Sequence, residues 1–125
     1  MNKKLNVLFI KDDKSMMDSD SKMFTELFNK VDKAVDDHKA LKLIFANEYD
    51  IVINDISVNP IDGITFSKQI KQNKPEQNIV TLVSLKDEDK IGGMIEAGIH
   101  SFVLSPEQFD QALEAIANMD ANEKQ

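Results

Sequence analysis

The sequence has no cysteine, no apolar run of membrane-spanning length and no excess of positive charge. Without cysteine, the chain can form neither a disulfide framework nor a Cys-based metal site or nucleophile. The absence of disulfides is compatible with a reducing compartment. The apolar run 5–10 is followed at once by Lys11 and Asp12, so it is too short for a membrane span, which takes about 20 residues, or for a secretory signal. We therefore expect a cytoplasmic protein.

Acidic residues outnumber basic ones, with 22 Asp and Glu against 15 Lys and Arg and a net charge of −7. A negative field repels phosphate backbones and anionic lipid surfaces, so neither direct nucleic-acid binding nor membrane binding is expected. A length of 125 residues, 42% of them hydrophobic, fits one compact domain. We predict a single domain over 1–125, with a core of about 5–119 and a polar tail at 120–125.

Short apolar, β-branched runs alternate five times with helix-like stretches. The predicted strands cover residues 5–10, 31–35, 50–54, 78–83 and 101–104. The first predicted helix includes Leu27 and Phe28 in its apolar stripe, and the second includes Phe45. This alternation is typical of a parallel α/β sheet with crossover helices, and we predict a doubly wound sheet of order 2-1-3-4-5 with helices on both faces.

Acidic residues follow the first and third predicted strands. Parallel sheets bind ligands outside the carboxyl ends of their strands, and in this order the first and third strands are neighbours. Asp12 and Asp55 would then face each other, and two close carboxylates repel unless a cation lies between them. Mg²⁺ is the natural cation because it takes oxygen ligands and is often held by one or two carboxylates.

The segment 55–63, which reads DISVNPIDG, resembles the signature of receiver domains in bacterial two-component response regulators, the CheY-like and flavodoxin-like fold. That signature has an Asp at the end of the third strand, a Pro in the following loop and Asp-Gly at its close. Ser84 is similar to the Ser/Thr switch residue of that family, and Phe102 to its aromatic switch residue on the fifth strand. The resemblance covers about residues 5–119.

The resemblance implies that Asp55 accepts a phosphoryl group from a histidine kinase or a phosphotransfer protein. It also implies Mg²⁺ held by Asp12, Asp55 and the backbone carbonyl of Ser57. A carboxylate can act as nucleophile toward phosphorus when a metal neutralises the transferring oxygens. The resemblance further implies that Ser84 then donates a hydrogen bond to the phosphoryl group and that the ring of Phe102 turns inward. An output domain or target protein would bind the face made by the fourth helix, fifth strand and fifth helix.

Three residues depart from the pattern of that family. Lys11 replaces the first acid of its acidic pair, Leu85 replaces a small residue beside the switch serine, and Ser105 replaces a lysine that contacts the phosphoryl group. One hypothesis is that Lys11 is a relocated ammonium near Asp55. At about 4 Å and an effective dielectric of about 20, the Coulomb attraction of such a charge pair is about 4 kcal/mol before the cost of desolvation. Weak Mg²⁺ binding is expected, and the alternative function is a pseudo-receiver that binds its partner without phosphorylation.

Two other functions on the same fold fit less well. A flavin carrier would need backbone donors and hydroxyls after the first strand, but Asp12 and Asp13 there would oppose a phosphate. A phosphatase with an aspartyl nucleophile would need a general acid at the position of Ser57. We therefore expect a signalling module rather than an enzyme.

Overall fold

Five parallel strands form one sheet in the computed structural model, which describes residues 5–11, 26–56, 60–84, 99–104, 108 and 111–117. The strands are β1 (Leu5–Lys11), β2 (Phe28–Ala34), β3 (Ile51–Asp55), β4 (Asn78–Ser84) and β5 (His100–Leu104). Their order is β2-β1-β3-β4-β5, and every neighbouring pair is parallel. The predicted sheet and its strand order are confirmed.

Two long helices connect these strands: α1 (Asp37–Ala46) and α2 (Pro60–Asn73). The side chain of Asp36 caps α1 by accepting a 2.7 Å hydrogen bond from the Lys39 amide, and Pro60 suits the first position of α2 because a helix needs no N–H donor there. Residues 111–117 are also helical. Most of the predicted first helix and all of the fourth lie outside the described residues. No helix in the described part is both long and apolar enough to cross a membrane.

Alternation along the strands divides the core into two layers, one on each face of the sheet. The helical segment 111–117 covers the first layer through Ala112, Leu113 and Ile116. Both α1 and α2 cover the second layer, whose helical members are Ala40, Ile44, Phe66 and Ile70. Because β3 is central and covered on both faces, all five of its residues are buried. Helices on both faces are thus confirmed.

Two details of the predicted elements are wrong. Phe28 opens β2 and is only 2% exposed, so this strand covers Phe28–Ala34 rather than 31–35. The error arises because β2 is an edge strand whose exposed Asn29 and Lys30 interrupt the apolar pattern. Phe45 is 60% exposed, since it lies about 100° around α1 from the buried Ile44. β1, β4 and β5 each differ from prediction by one residue at one end, and β3 is shifted by one residue at both ends.

Candidate functional site

One transverse row of the sheet contains three of the residues singled out in the sequence. Asp55, the last residue of β3, is the Cα partner of Lys11 on β1 and of Leu82 on β4. Leu82 is in turn the partner of Phe102 on β5. The parallel register therefore brings Lys11, Asp55 and Phe102 into one line, which crosses the carboxyl ends of β1 and β3 and the middle of β5.

Lys11 and Asp55 share a face of the sheet as well as a row. Val7 and Phe9 on β1 pack in the first layer with Ile53 on β3, and side chains alternate along a strand with a period of two. Lys11 and Asp55 continue these two series, so their side chains leave the same face from strands about 4.8 Å apart. Asp55 is only 5% exposed and Lys11 is half-buried. The buried Asp55 and the cationic side chain of Lys11 therefore extend from neighbouring strands on the same face.

The two neighbours of Asp55 project to the opposite face, where they hold the first turns of α2. Asn54 Nδ2 donates to Ser67 Oγ at 2.9 Å and to the Gly63 carbonyl at 3.3 Å. Ile56 packs so closely on Gly63 that a Cβ added to this glycine would lie 2.0 Å from Ile56 Cγ2. Gly63, the last residue of the DISVNPIDG segment, is therefore required by the approach of α2 to the end of β3.

The end of β3 is also fixed by the neighbouring strand. The Ile56 amide donates to the Leu82 carbonyl at 3.0 Å, which extends the ladder one residue beyond Asp55. Ser84, the last residue of β4, is the Cα partner of Leu104 and lies at the same edge of the sheet as Asp55. The backbone thus places the predicted switch serine at the expected edge.

Of the three predicted Mg²⁺ ligands, only Asp55 belongs to the described part of the chain. Asp12 directly follows Lys11, and Ser57 comes two residues after Asp55; both lie outside the described residues, as do Leu85 and Ser105. No group of three acidic or histidine side chains that could hold a metal occurs among the described residues. The carboxylate of Asp55 is a suitable oxygen donor for Mg²⁺, which is commonly held by one or two carboxylates and water.

Sequence reasoning missed Asn54 and Ser67 as part of this site. Asn54 is 3% exposed and Ser67 is fully buried. The available signal was an asparagine within a strand that is otherwise apolar up to Asp55, since a buried polar side chain requires a hydrogen-bond partner. Its partner could not be identified from the sequence, because Ser67 lies on another element.

A second polar cluster occupies the opposite, amino-terminal edge of the sheet. The Tyr49 hydroxyl donates to Asp32 Oδ2 at 2.6 Å. Burial raises the pKa of Tyr49, and the hydrogen bond to Asp32 and the charge of that carboxylate raise it further. Gln77 Nε2 donates to the Tyr49 carbonyl at 3.1 Å and to the Asn78 carbonyl at 3.2 Å. The bond from Gln77 to Tyr49 joins the loops that precede β3 and β4, and the bond from Tyr49 to Asp32 joins the first of these loops to β2.

Comparison with known proteins identifies relatives over nearly the whole chain. The family model described as the response regulator receiver domain matches residues 7–117. The chemotaxis protein CheY of Bacillus subtilis is 32% identical over 89 residues, which cover 71% of this chain and 74% of that protein. The transcriptional regulatory protein LiaR of the same organism is 29% identical over 86 residues, which cover 69% of this chain but only 41% of LiaR.

Solved structures share the fold at lower sequence identity. The response regulator TrrA of Thermotoga maritima, in complex with Mg²⁺ and BeF, has a TM-score of 0.69 at 22% identity, over 95% of this chain and 99% of that one. A receiver domain protein from Clostridium thermocellum has a TM-score of 0.70 at 18% identity, over 93% and 96%. NtrX of Brucella abortus has a TM-score of 0.76 at 18% identity, but the match spans only 28% of its chain.

Proposed function

This chain belongs to the family of response regulator receiver domains of two-component signal transduction, and from that premise we propose that Asp55 accepts a phosphoryl group. The donor is a histidine kinase or a phosphotransfer protein. The observation that carries the proposal is the position of Asp55, a carboxylate at the carboxyl end of the central strand β3 with neighbouring strands in register on both sides. Ligands of doubly wound sheets bind at this edge.

In the proposed step, a carboxylate oxygen of Asp55 attacks the phosphorus of a phosphohistidine. The new P–O bond forms as the P–N bond breaks, and the departing imidazole nitrogen takes up a proton. Asp12, Asp55 and the carbonyl of Ser57 would hold Mg²⁺, which supplies neutralisation of the phosphoryl oxygens when bound. The complex of TrrA with Mg²⁺ and BeF is consistent with such a site in a protein of the same fold.

We propose that Lys11 acts as a cation beside the acceptor Asp55. Its Cα is paired with that of Asp55, and the two side chains leave the same face of the sheet. An ammonium at this place would partly neutralise the carboxylate before transfer and attract the phosphoryl oxygens after it. It would also compete with Mg²⁺ for the same carboxylate, so metal binding is expected to be weak.

Ser84 and Phe102 are proposed to report the modification. Ser84 ends the strand next to β3, where its hydroxyl could donate to a phosphoryl oxygen on Asp55. Phe102 lies in the transverse row of Asp55, separated from it by Leu82. We propose that an output domain or target protein binds the face predicted for the fourth helix, the fifth strand and the fifth helix. We propose that this signalling role is carried out in the cytoplasm.

The test is covalent labelling by a small phosphodonor in the presence of Mg²⁺, followed by intact-mass spectrometry. Wild type should take one phosphoryl group, and Asp55→Asn should take none, because an amide is a far weaker nucleophile than a carboxylate. Asp50→Asn is the matched control at the other end of β3: its amide oxygen can still accept the Asn6 amide, which now donates to Asp50 Oδ2 at 2.8 Å.

Circular dichroism should show that both variants fold. Labelling that persists in Asp55→Asn would identify another acceptor. If wild type takes no label from either the small donor or a phosphorylated kinase domain, the proposal fails. The pseudo-receiver would then be the better account of this chain.

A further inference from the structure

Both chain neighbours of Asp55 contact the same glycine of α2. Asn54 donates to the Gly63 carbonyl at 3.3 Å and to Ser67 Oγ at 2.9 Å, while Ile56 packs against the Gly63 Cα. We propose that this arrangement, the Gly63 grip, sets the position of the Asp55 carboxylate for phosphoryl transfer, with Asn54 as a positioning residue. The inference rests on the proposed function and assigns to Asn54 a role that acts through Asp55.

The geometry of the strand explains why two contacts on one face control a side chain on the other. Side chains alternate along β3, so Asn54 and Ile56 project into the second layer and Asp55 projects from the first. A twist of the strand end that moved the Asp55 carboxylate would swing both neighbours away from Gly63. Because the hydrogen bonds and the apolar contact resist the same rotation, the grip fixes the direction of the Asp55 side chain.

Three of the four residues of the grip are buried, which favours a rigid arrangement. Asn54 is 3% exposed, Ile56 is 1% exposed and Ser67 is fully buried. Water cannot replace a lost partner at such a place, so loosening the grip would leave buried polar groups unsatisfied. Strand ends otherwise open locally more easily than strand centres. The grip therefore suits the last residue of a strand, where a reactive carboxylate has to be held in place.

Gln77 offers a matched comparison within the same chain. Like Asn54, it is a buried amide whose nitrogen donates two hydrogen bonds, in this case to the carbonyls of Tyr49 and Asn78. It lies at the amino-terminal edge of the sheet, whereas Asp55 ends β3 at the carboxyl edge. Loss of either amide should lower stability, but only loss of the amide at Asn54 should change the chemistry of Asp55.

The experiment compares Asn54→Leu, Ser67→Ala and Gln77→Leu with wild type, at a temperature where circular dichroism shows all four folded. The readouts are the rate of labelling by a small phosphodonor with Mg²⁺ and the hydrogen exchange of the Ile56 amide. Asn54→Leu should label at least about tenfold more slowly, since a displacement of about 1 Å can cost a factor of about 100. Ser67→Ala should show a smaller loss because the bond to Gly63 remains. Gln77→Leu should label like wild type.

The Ile56 amide separates failure of this inference from failure of the proposed function. Its exchange should accelerate in Asn54→Leu and Ser67→Ala but not in Gln77→Leu. Wild-type labelling rates in Asn54→Leu, or equal slowing in Gln77→Leu, would overturn the positioning role. If wild type takes no label, the proposed function fails by itself. In that event, equal acceleration of Ile56 amide exchange in all three variants would overturn the grip as well. Acceleration in Asn54→Leu and Ser67→Ala but not in Gln77→Leu would support the grip.

Discussion

The two edges of the sheet are both rich in polar side chains, but they use them differently. At the amino-terminal edge, these side chains form hydrogen bonds within the fold: Lys74 Nζ donates to the Ile44 carbonyl at 2.6 Å, Asp50 Oδ2 accepts a hydrogen bond from the Asn6 amide at 2.8 Å, and the Tyr49 hydroxyl donates to Asp32 Oδ2 at 2.6 Å. At the carboxyl edge, the side chains of Asp55 and Lys11 leave the same face of the sheet from paired positions on neighbouring strands. What the polar atoms face, rather than how many there are, distinguishes the supporting edge from the edge that we propose to be reactive.

A groove illustrates the same difference. It encloses about 690 Å³ at the amino-terminal edge, and its lining includes Tyr49, Asp50, Lys74 and Gln77. Concave surfaces are the usual place to look for a ligand. Here the lining side chains already hold loops together, through the bonds of Gln77 to the Tyr49 carbonyl and of Lys74 to the Ile44 carbonyl. The groove therefore lies among side chains that support the fold, at the edge opposite the proposed acceptor Asp55.

The largest expected effect comes from a methyl group placed in the grip. Gly63→Ala would put a Cβ 2.0 Å from Ile56 Cγ2 and 2.5 Å from Ile56 Cβ, distances at which the backbone has to shift. We expect the free energy of unfolding to fall by about 2 to 3 kcal/mol, although alanine favours a helix by about 1 kcal/mol. Urea denaturation measures this change.

Gln69→Ala, at an exposed position of the same helix, is the control and should change stability by less than about 0.5 kcal/mol. A Gly63→Ala variant as stable as wild type would show that α2 does not approach β3 so closely. Labelling of Asp55 should also slow in Gly63→Ala, which would extend the effect from packing to the reactive edge.

How far the sequence predicts this molecule depends on whether its signals are local. The five apolar runs predicted a parallel sheet because each is short and β-branched, and the DISVNPIDG segment located Asp55 at a strand end. Phe28 was assigned to the wrong element because its spacing of four residues from Phe24 also fits the apolar stripe of a helix. Asn54 was missed because its role depends on Ser67, which only the packing of α2 on β3 brings into contact.

Charge at the reactive edge provides the second prediction. Lys11→Met should raise the affinity for Mg²⁺ about fivefold, which corresponds to about 1 kcal/mol, because it removes a positive charge beside the Asp55 carboxylate. Lys11→Asp should raise it further by adding an oxygen ligand. Titration calorimetry with Mg²⁺ measures both.

Lys30→Met serves as the charge-matched control. Lys30 lies on the edge strand β2, where its Nζ is 3.5 Å from Asp32 Oδ2, and its removal should leave Mg²⁺ binding unchanged. If Lys11→Met bound Mg²⁺ no more tightly than Lys30→Met, the ammonium of Lys11 would lie away from the acceptor. The proposed role of Lys11 would then be wrong.

The smallest expected effect tests the supporting edge. Tyr49→Phe removes a hydroxyl that donates to Asp32 Oδ2 at 2.6 Å, and the free energy of unfolding should fall by about 1 kcal/mol at neutral pH. The labelling rate of Asp55 should not change, because the hydroxyl supports a loop at the other edge. A slower rate in Tyr49→Phe would show that the two edges are coupled and would break the distinction between them.

Alkaline pH sharpens this last prediction. Burial and Asp32 raise the pKa of Tyr49 well above the ordinary tyrosine value of 10.0, so the folded state favours the neutral phenol. The contribution of the Tyr49 hydroxyl to the free energy of unfolding is fully present below about pH 10, where tyrosine is neutral in both the folded and the unfolded state. It is lost as the pH rises further, because the unfolded state releases the phenolic proton more readily than the folded state. The stability difference between wild type and Tyr49→Phe should therefore be constant up to about pH 10 and decrease above it. A difference that grew above pH 10 would contradict the assignment of the Tyr49 hydroxyl as donor to Asp32.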